Sequence, residues 1–560
     1  MPRQSARFAF IEQLLAEGVT HVFGNPGTTE QGFQDALQEY PQLQYILALQ
    51  ESVAVGAADG YARASGRPAF VQLHIMPGLG NAMGMLYNSY RMRTPLVVYA
   101  GQHPQRGNAQ EPILSGDLVR LAEPVTKWAV EAQDASEVPI LLRRAFKTAM
   151  EPPRGPVFVS VPTNVMDEES EADIVPSVPA DTRVHAGADA IERVAAILSD
   201  ARAPVIICGD GVAVSGGQAE LVQLAETIGA RVHSSFAAEL PFPSAHPLYA
   251  GLLNVVSTPA LKGQLSVADV IFAVGTPVLP LLFPIDESPF PDGAKVIHID
   301  LDAWEIGKNW PVDIGIVADP RLAMADILAA LRRTMTDSQR EAASQRAAAV
   351  ETTNGQLLQA MEGAAKARWD TSPMSSGRLM AEMGGAMLPD TVLFDESITS
   401  GGYLMRYLRF SETGRHYRAI GGGLGPGMPN PIGIKLARPD RPVLSVIGDG
   451  AALYTIQALW TAAHHKVPVT WVVANNRSYR ILKLNMLEYL GEGAAGRRFM
   501  EMDMTDPELD FSQIAAAFGV KGVRVQHGDE VGDAIREAQQ SGEPRLVDAV
   551  IDGDVRTRWL

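Results

Sequence analysis

Apolar positions along the chain fall into short runs, alternating with longer stretches in which apolar residues recur at helical spacing. In the first third the runs THVFG, LQYILAL, PAFVQLHI and PLVVYAG predict strands, with helices expected to start near Thr28, Glu51 and Leu79. The opening MPRQSARFAFIEQLLAEGV reads as a further amphipathic helix. A second series, PVIICG, RVHSSF, VIFAVG and KVIHIDLD, leads into a long Ala-rich helical region from about Ala323 to Ala367. The third series comprises TVLFDES, RPVLSVIGDG, VPVTWVVANN and PRLVDAVI. Polar and Pro-containing stretches, EESEADIVPSVPADTRVHAG and WDTSPMSSG, separate the series. Strands alternating with helices in this way build parallel sheets covered by helices. The expected architecture is therefore α/β, with three open, mainly parallel-sheet domains over residues 1–180, 185–345 and 370–560.

A chain of 560 residues exceeds one ordinary core, in keeping with several domains. Its 64 acidic and 47 basic residues give a net charge of -17, which repels nucleic acid and anionic membrane surfaces. A small-molecule partner is expected instead. No uninterrupted apolar run reaches the roughly 18 residues of a spanning helix. The N-terminal stretch lacks the apolar h-region and cleavage site of a signal peptide, so a cytoplasmic location is expected. The single cysteine, Cys208, excludes an intrachain disulfide and, inside APVIICGDG, reads as a core hydrophobe.

Candidate chemistry lies where strands end, because ligands of open α/β sheets gather at the carboxyl edge. Asp449 follows RPVLSVI and Asn476 follows PVTWVVA, with room between them for one crossover helix. Both side chains should project from one edge, presenting hard oxygen ligands of the kind Mg²⁺ accepts. Gly448 and Gly450 leave space for a diphosphate to approach the backbone.

This GDG followed by NN resembles the cofactor motif of the thiamine diphosphate enzyme superfamily. The resemblance implies that Asp449, Asn476 and the backbone carbonyl of Ser478 hold Mg²⁺ against the diphosphate of thiamine diphosphate, with Gly450, Ala451 and Tyr479 beside it. Glu51, which follows an apolar strand and opens a helix in LALQESVAVGAADGYARASG, matches the glutamate that activates the cofactor's pyrimidine ring. Leu424, in AIGGGLGPGMPNPIGIKLA, matches the bulky residue that bends the cofactor, with Gly422 next to it. Thr399, in FDESITSGG, matches a residue near the diphosphate.

Within the superfamily, FGNPGTTE, LALQESVAVGAADGYA, PAFVQLHIMPGLGNAMGMLYN and PLVVYAGQ are similar, in register, to benzoylformate decarboxylases. The likeness covers nearly the whole chain, more loosely in the middle. It implies decarboxylation of an aromatic or branched 2-oxo acid to an aldehyde. Thr28 takes the place of a serine that binds the substrate carboxylate, and His74 that of the first active-site histidine. Ile113 and Leu114, in EPILSG, keep the apolar character of the substrate pocket. Ile481 and Asn485, in SYRILKLNM, replace a small residue and an aromatic.

The second active-site histidine is matched by Leu282, and no histidine occurs between Val270 and Gly293. That departure opens a second reading, a carboligase or lyase that makes or cleaves 2-hydroxy ketones from aldehydes. A catalytically silent paralogue would be expected to lose Glu51, Asp449 or Asn476, and all three are present. Some relatives of the acetolactate synthase branch carry a flavin in the middle domain, but GDGVAVSGG here reads as a turn. The family builds each site between two subunits, which implies a homodimer at least and commonly a homotetramer.

Overall fold

The computed structural model describes residues 4–171, 173–235, 237–255, 257–279, 284–491 and 497–555. Its first block holds the strands His21–Gly24 (β1), Gln44–Leu47 (β2), Ala69–Leu73 (β3), Leu96–Gln102 (β4), Trp128–Glu131 (β5) and Val157–Pro162 (β6). They pair in parallel in the order β2-β1-β3-β4-β6-β5. β3, β4 and β6 are buried along their whole length, which is why they read as unbroken apolar runs. Helix α1 (Ala6–Ala16) lays Phe10, Ile11 and Leu14 on one face of the sheet. There the rings of Phe10, Phe33, Phe70 and Tyr99 meet, Phe10 edge-on to the other three at 4.9–5.9 Å. Helix α2 (Glu51–Ser65) starts where expected. Helix α3 (Ile75–Arg91) starts four residues before Leu79, with His74 as its extended N-cap residue. Pro77 fits this first turn, where its missing N–H has no helical partner to lose. The helix expected at Thr28 opens as a 3-10 turn, Thr28–Glu30, before Gln31–Leu37.

The central block contains Pro204–Cys208 (β7), Arg231–Ser234 (β8), Tyr249–Leu252 (β9), Val270–Val274 (β10), Lys295–Asp300 (β11) and Ile314–Val317 (β12). These are parallel in the order β9-β8-β7-β10-β11-β12. Side chains alternate between two cores, Ile206, Phe272 and Ile297 on one face and Val205, Ile271 and Val296 on the other. Cys208 is buried, and burial pushes its thiol up to about 12. Gly211 is accounted for by close backbone approach, since a Cβ there would lie 2.6 Å from the Gly275 Cα.

The long helical region is two helices, not one: α4 (Pro320–Thr334) and α5 (Asp337–Lys366). Thr336 interrupts it. Its hydroxyl accepts the Gln339 N–H while the Gln339 side chain accepts the Thr336 N–H, a reciprocal cap that starts a new helix.

In the third block, Val392–Glu396 (β13), Val443–Gly448 (β14), Val469–Asn475 (β15), Lys521–Val525 (β16) and Arg545–Val550 (β17) run parallel in the order β13-β14-β15-β17-β16. Helices Asn430–Ala437 (α6), Asp449–Ala452 (α7), Ala458–His465 (α8) and Arg480–Leu490 (α9) follow or connect these strands. Three parallel-sheet α/β domains are thus present. The first and third blocks form one compact unit, and the central block with residues 403–420 forms another.

Inside the first unit α2 crosses α6 at backbone distance. A Cβ at Gly433 would sit 1.8 Å from the Ala57 carbonyl oxygen, and one at Gly60 2.0 Å from that of Asn430. Beside this crossing, Asn430 Nδ2 donates to the buried Asp59 at 2.8 Å. Asn88 of α3 is bonded both ways with Gly423, at 2.8 and 2.9 Å. Among the described residues no helix is long and apolar enough to cross a membrane.

Candidate active site

Register places the third-block candidates. Gly448 of β14 lies opposite Ala474 of β15, so Asp449 and the Asn475–Asn476 pair leave adjacent strands at the same level. Asp449 is buried, its Oδ1 accepting the Gly450 N–H at 2.8 Å and its Oδ2 the Arg477 N–H at 2.5 Å. Burial pushes its carboxyl up to about 6 despite these donors. Among the described residues the buried Asn476 Oδ1 finds no hydrogen-bond partner, a costly state for an amide oxygen. An orphaned amide oxygen beside a carboxylate left under-compensated is a donor set that fits a hard divalent cation.

The neighbouring backbone is held in place. Tyr479 N–H donates to the Met502 carbonyl at 2.9 Å and Met504 N–H to that of Arg477 at 2.8 Å, so the segment after Met500 straps the Asn476–Ser478 turn. Gly450, in α7 next to Ala451, has the Tyr479 ring where a Cβ would lie, 2.7 Å away. On α9, Ile481 and Asn485 are one helical turn apart and half-buried.

Leu424 is half-buried in a loop fixed from three sides. Its neighbours are bonded by Asn88, by the Thr455 hydroxyl, which donates to the Gly425 carbonyl at 2.6 Å, and by Glu396. The fully buried Glu396 ends β13 and accepts the N–H groups of Gly425 and Gly427 at 2.7 and 2.6 Å; burial nonetheless pushes its carboxyl up to about 8. Gly422 has φ 101°, which only glycine adopts without strain. Thr399 is half-buried just beyond β13.

In the first block Glu51 is the first residue of α2 and is buried. Asn81 Nδ2 of α3 donates to its Oε2 at 3.0 Å, and a Cβ at Gly78 would come within 2.7 Å of its Oε1. These neighbours of Glu51 belong to its own block. His74 and Thr28 are brought together: the imidazole lies over Gly27, where a Cβ would be 1.8 Å from Nδ1, and Thr28 is the next residue, exposed. His74 Nδ1 is bonded to Glu30 Oε2 at 2.9 Å. Ile113 and Leu114 stand in a loop that touches Met76, two residues after His74. Leu282 lies outside the described residues.

Three functional candidates carry no signal in sequence spacing. Glu30, Asn81 and Glu396 look like ordinary helix or turn residues until folding brings their partners to them. For Glu30 the only hint is its place one turn into the segment that starts at Thr28.

The N-terminal TPP binding domain of thiamine pyrophosphate enzymes matches residues 4–119, the central domain 191–330 and the C-terminal TPP binding domain 399–549. Over 569 residues the chain is 32% identical to a benzoylformate decarboxylase of Pseudomonas aeruginosa, covering 96% of this chain and 97% of that one. It is 31% identical to a probable acetolactate synthase large subunit of Methanocaldococcus jannaschii, covering 97% and 91%. The solved structure of a thiamine diphosphate-dependent 4-hydroxybenzoylformate decarboxylase from Rhodococcus jostii RHA1 superposes with a TM-score of 0.85 at 30% identity, over 98% of this chain and all of that one. With every block matched and both cofactor-binding domains present, the chain belongs to the thiamine pyrophosphate enzymes and is an enzyme dependent on that cofactor.

Proposed function

We propose that this enzyme decarboxylates an aromatic or branched 2-oxo acid to an aldehyde without oxidation. The observation that carries the reading is the imidazole of His74, seated on Gly27 beside Thr28 and held by the buried carboxylate of Glu30. Full-length likeness to benzoylformate decarboxylases supports it. Thiamine diphosphate, when bound, would supply an acidic thiazolium carbon that becomes a nucleophile on losing its proton, and a cationic ring that takes up the electron pair left behind when carbon dioxide departs. Asp449, Asn476 and the Ser478 carbonyl would hold Mg²⁺ at the diphosphate, with Thr399, Gly422, Gly450, Ala451 and Tyr479 around the cofactor and Leu424 against its rings. Glu51 would exchange a proton with the cofactor's pyrimidine nitrogen; the Asn81 bond to Oε2 leaves Oε1, beside Gly78, as the oxygen available to do so.

On the substrate side, the Thr28 hydroxyl donates to the carboxylate. His74 keeps Nδ1–H on Glu30, which fixes the tautomer and leaves Nε2 to move a proton at the carbonyl oxygen. Ile113, Leu114 and Ile481 form an apolar seat for the substituent, and Asn485 reads a polar group on it. As the family resemblance implies, the reading takes Glu51 from one copy and the Asp449 edge from another, in a homodimer or a tetramer built from it. Leu282 in place of a histidine favours a second reading, formation or cleavage of 2-hydroxy ketones, since one proton donor for releasing an aldehyde is absent.

A panel of aromatic, branched and short 2-oxo acids, assayed with thiamine diphosphate and Mg²⁺ for carbon dioxide, aldehyde and hydroxy ketone, tests both. Aldehyde from benzoylformate is the expected product. Hydroxy ketone as the main product, with little free aldehyde, favours the second reading. Glu51→Gln should lose at least about 10²-fold in turnover while retaining the cofactor in a binding titration, and full activity would overturn the assignment.

A further inference from the structure

The segment that carries Ile113 and Leu114 is an arch under strain. Glu111 and Leu114 have φ of 46° and 76°, in the left-handed region that side-chain-bearing residues rarely adopt. Ile113, at its tip, is 87% exposed. On one side the arch leans on α3, where a Cβ at Gly116 would lie 2.8 Å from the Met76 sulfur. On the other lies a cavity of about 310 Å³, lined among others by Asn108, Glu111, Asp117 and Glu131. Among the described residues, the close approach recorded for the arch is thus on the α3 side, with the cavity beside it.

Hydrogen bonds do the rest. His103 Nε2 donates to the Ile113 carbonyl at 2.7 Å, directly at the exposed tip. Gln102 Nε2 donates to the Gly116 carbonyl at 3.0 Å, and Ser115 bonds the Pro112 carbonyl through its hydroxyl at 2.7 Å and its N–H at 3.1 Å. His103 is itself anchored, its N–H donating to Gln102 Oε1 at 3.0 Å. It immediately follows β4, whose register partner is β3, the strand that runs into His74.

We propose that His103 is a positioning residue for substrate discrimination. By holding the Ile113 carbonyl it keeps the strained arch beside the His74 end of β3, so that a 2-oxo acid with a bulky apolar substituent is favoured over a small one. The inference rests on the 2-oxo acid reading given above.

The test compares the holoenzyme with His103→Leu, which keeps bulk without a donor, and His103→Gln, whose amide N–H can still reach the carbonyl. Steady-state kinetics use benzoylformate and pyruvate, with thiamine diphosphate affinity as the check on folding. Expected is a roughly 3- to 10-fold fall in the benzoylformate-to-pyruvate ratio of kcat/KM in His103→Leu, arising in the benzoylformate KM. The ratio is retained in His103→Gln, and cofactor affinity is unchanged in both. Equal ratios in the two variants and the parent, or losses shared by both acids in kcat, overturn the inference while leaving the 2-oxo acid reading intact. An unsubstituted enzyme that turns over neither acid overturns that reading and this inference with it.

Discussion

Glu30 serves several partners with one carboxylate. Its Oε2 holds His74, and its Oε1 accepts the Thr29 hydroxyl and Gly101 N–H at 2.8 Å and the Ile75 N–H at 3.2 Å. Ile75 has φ 36°, a conformation that a β-branched residue adopts only where its surroundings impose it. Every one of these partners donates. An amide in place of the carboxylate must turn its NH₂ toward at least one of them. Glu30→Gln should therefore cost about 10²-fold in kcat/KM through a misdirected His74, with thiamine diphosphate affinity held, as steady-state kinetics and a binding titration would show. Glu51, His74, Asp449 and Asn476 were visible in sequence because each follows an apolar run. Glu30 was not, since its role comes from a histidine 44 positions away that only the folded sheet sets beside it.

Strand β2 is the outer strand of the first sheet, and its last residue turns an N–H outward. That N–H, of Leu47, donates to His465 Nε2 of α8 at 2.8 Å, so the third block caps an edge that leads to Glu51. Burial first, and the neighbouring His464 second, push the His465 imidazole down to about 4, from an ordinary 6.5. The unfolded chain thus takes up a proton that the folded one refuses. The stabilisation is complete above pH 6.5 and is lost as pH falls toward 4, by on the order of 1 kcal/mol once partial exposure is discounted. His465→Gln, which keeps an acceptor but does not titrate, should narrow the difference between urea midpoints at pH 7 and pH 5.

Among helices and strands, those with unbroken apolar runs such as β3, β4 and β15 were legible. The division between α4 and α5 was not. Ala-rich periodicity continues across it, and only the Thr336–Gln339 cap decides where one helix stops and the next begins.

For the molecule as a whole, the proposed sharing of each site between two copies has a direct consequence. A Glu51→Gln chain and an Asp449→Ala chain are each expected to be inactive. Mixed after reversible dissociation, they should recover about a quarter of full activity, because half of the dimers are hybrids and each hybrid keeps one intact site. No recovery, with hybrids verified by native mass spectrometry, would assign both residues to one copy. Tyr87 and Tyr90 on α3 and Leu49 just before α2 are large apolar residues exposed on the single chain.

The crossing of α2 over α6 leaves no room for a single methyl group at Gly60 or Gly433. Anyone grafting the first block of a relative onto this protein must therefore transplant both helices together, as a matched key and lock. The Ile113 arch is a separate graft, which must carry with it Gln102 and His103, the residues that hold its carbonyls.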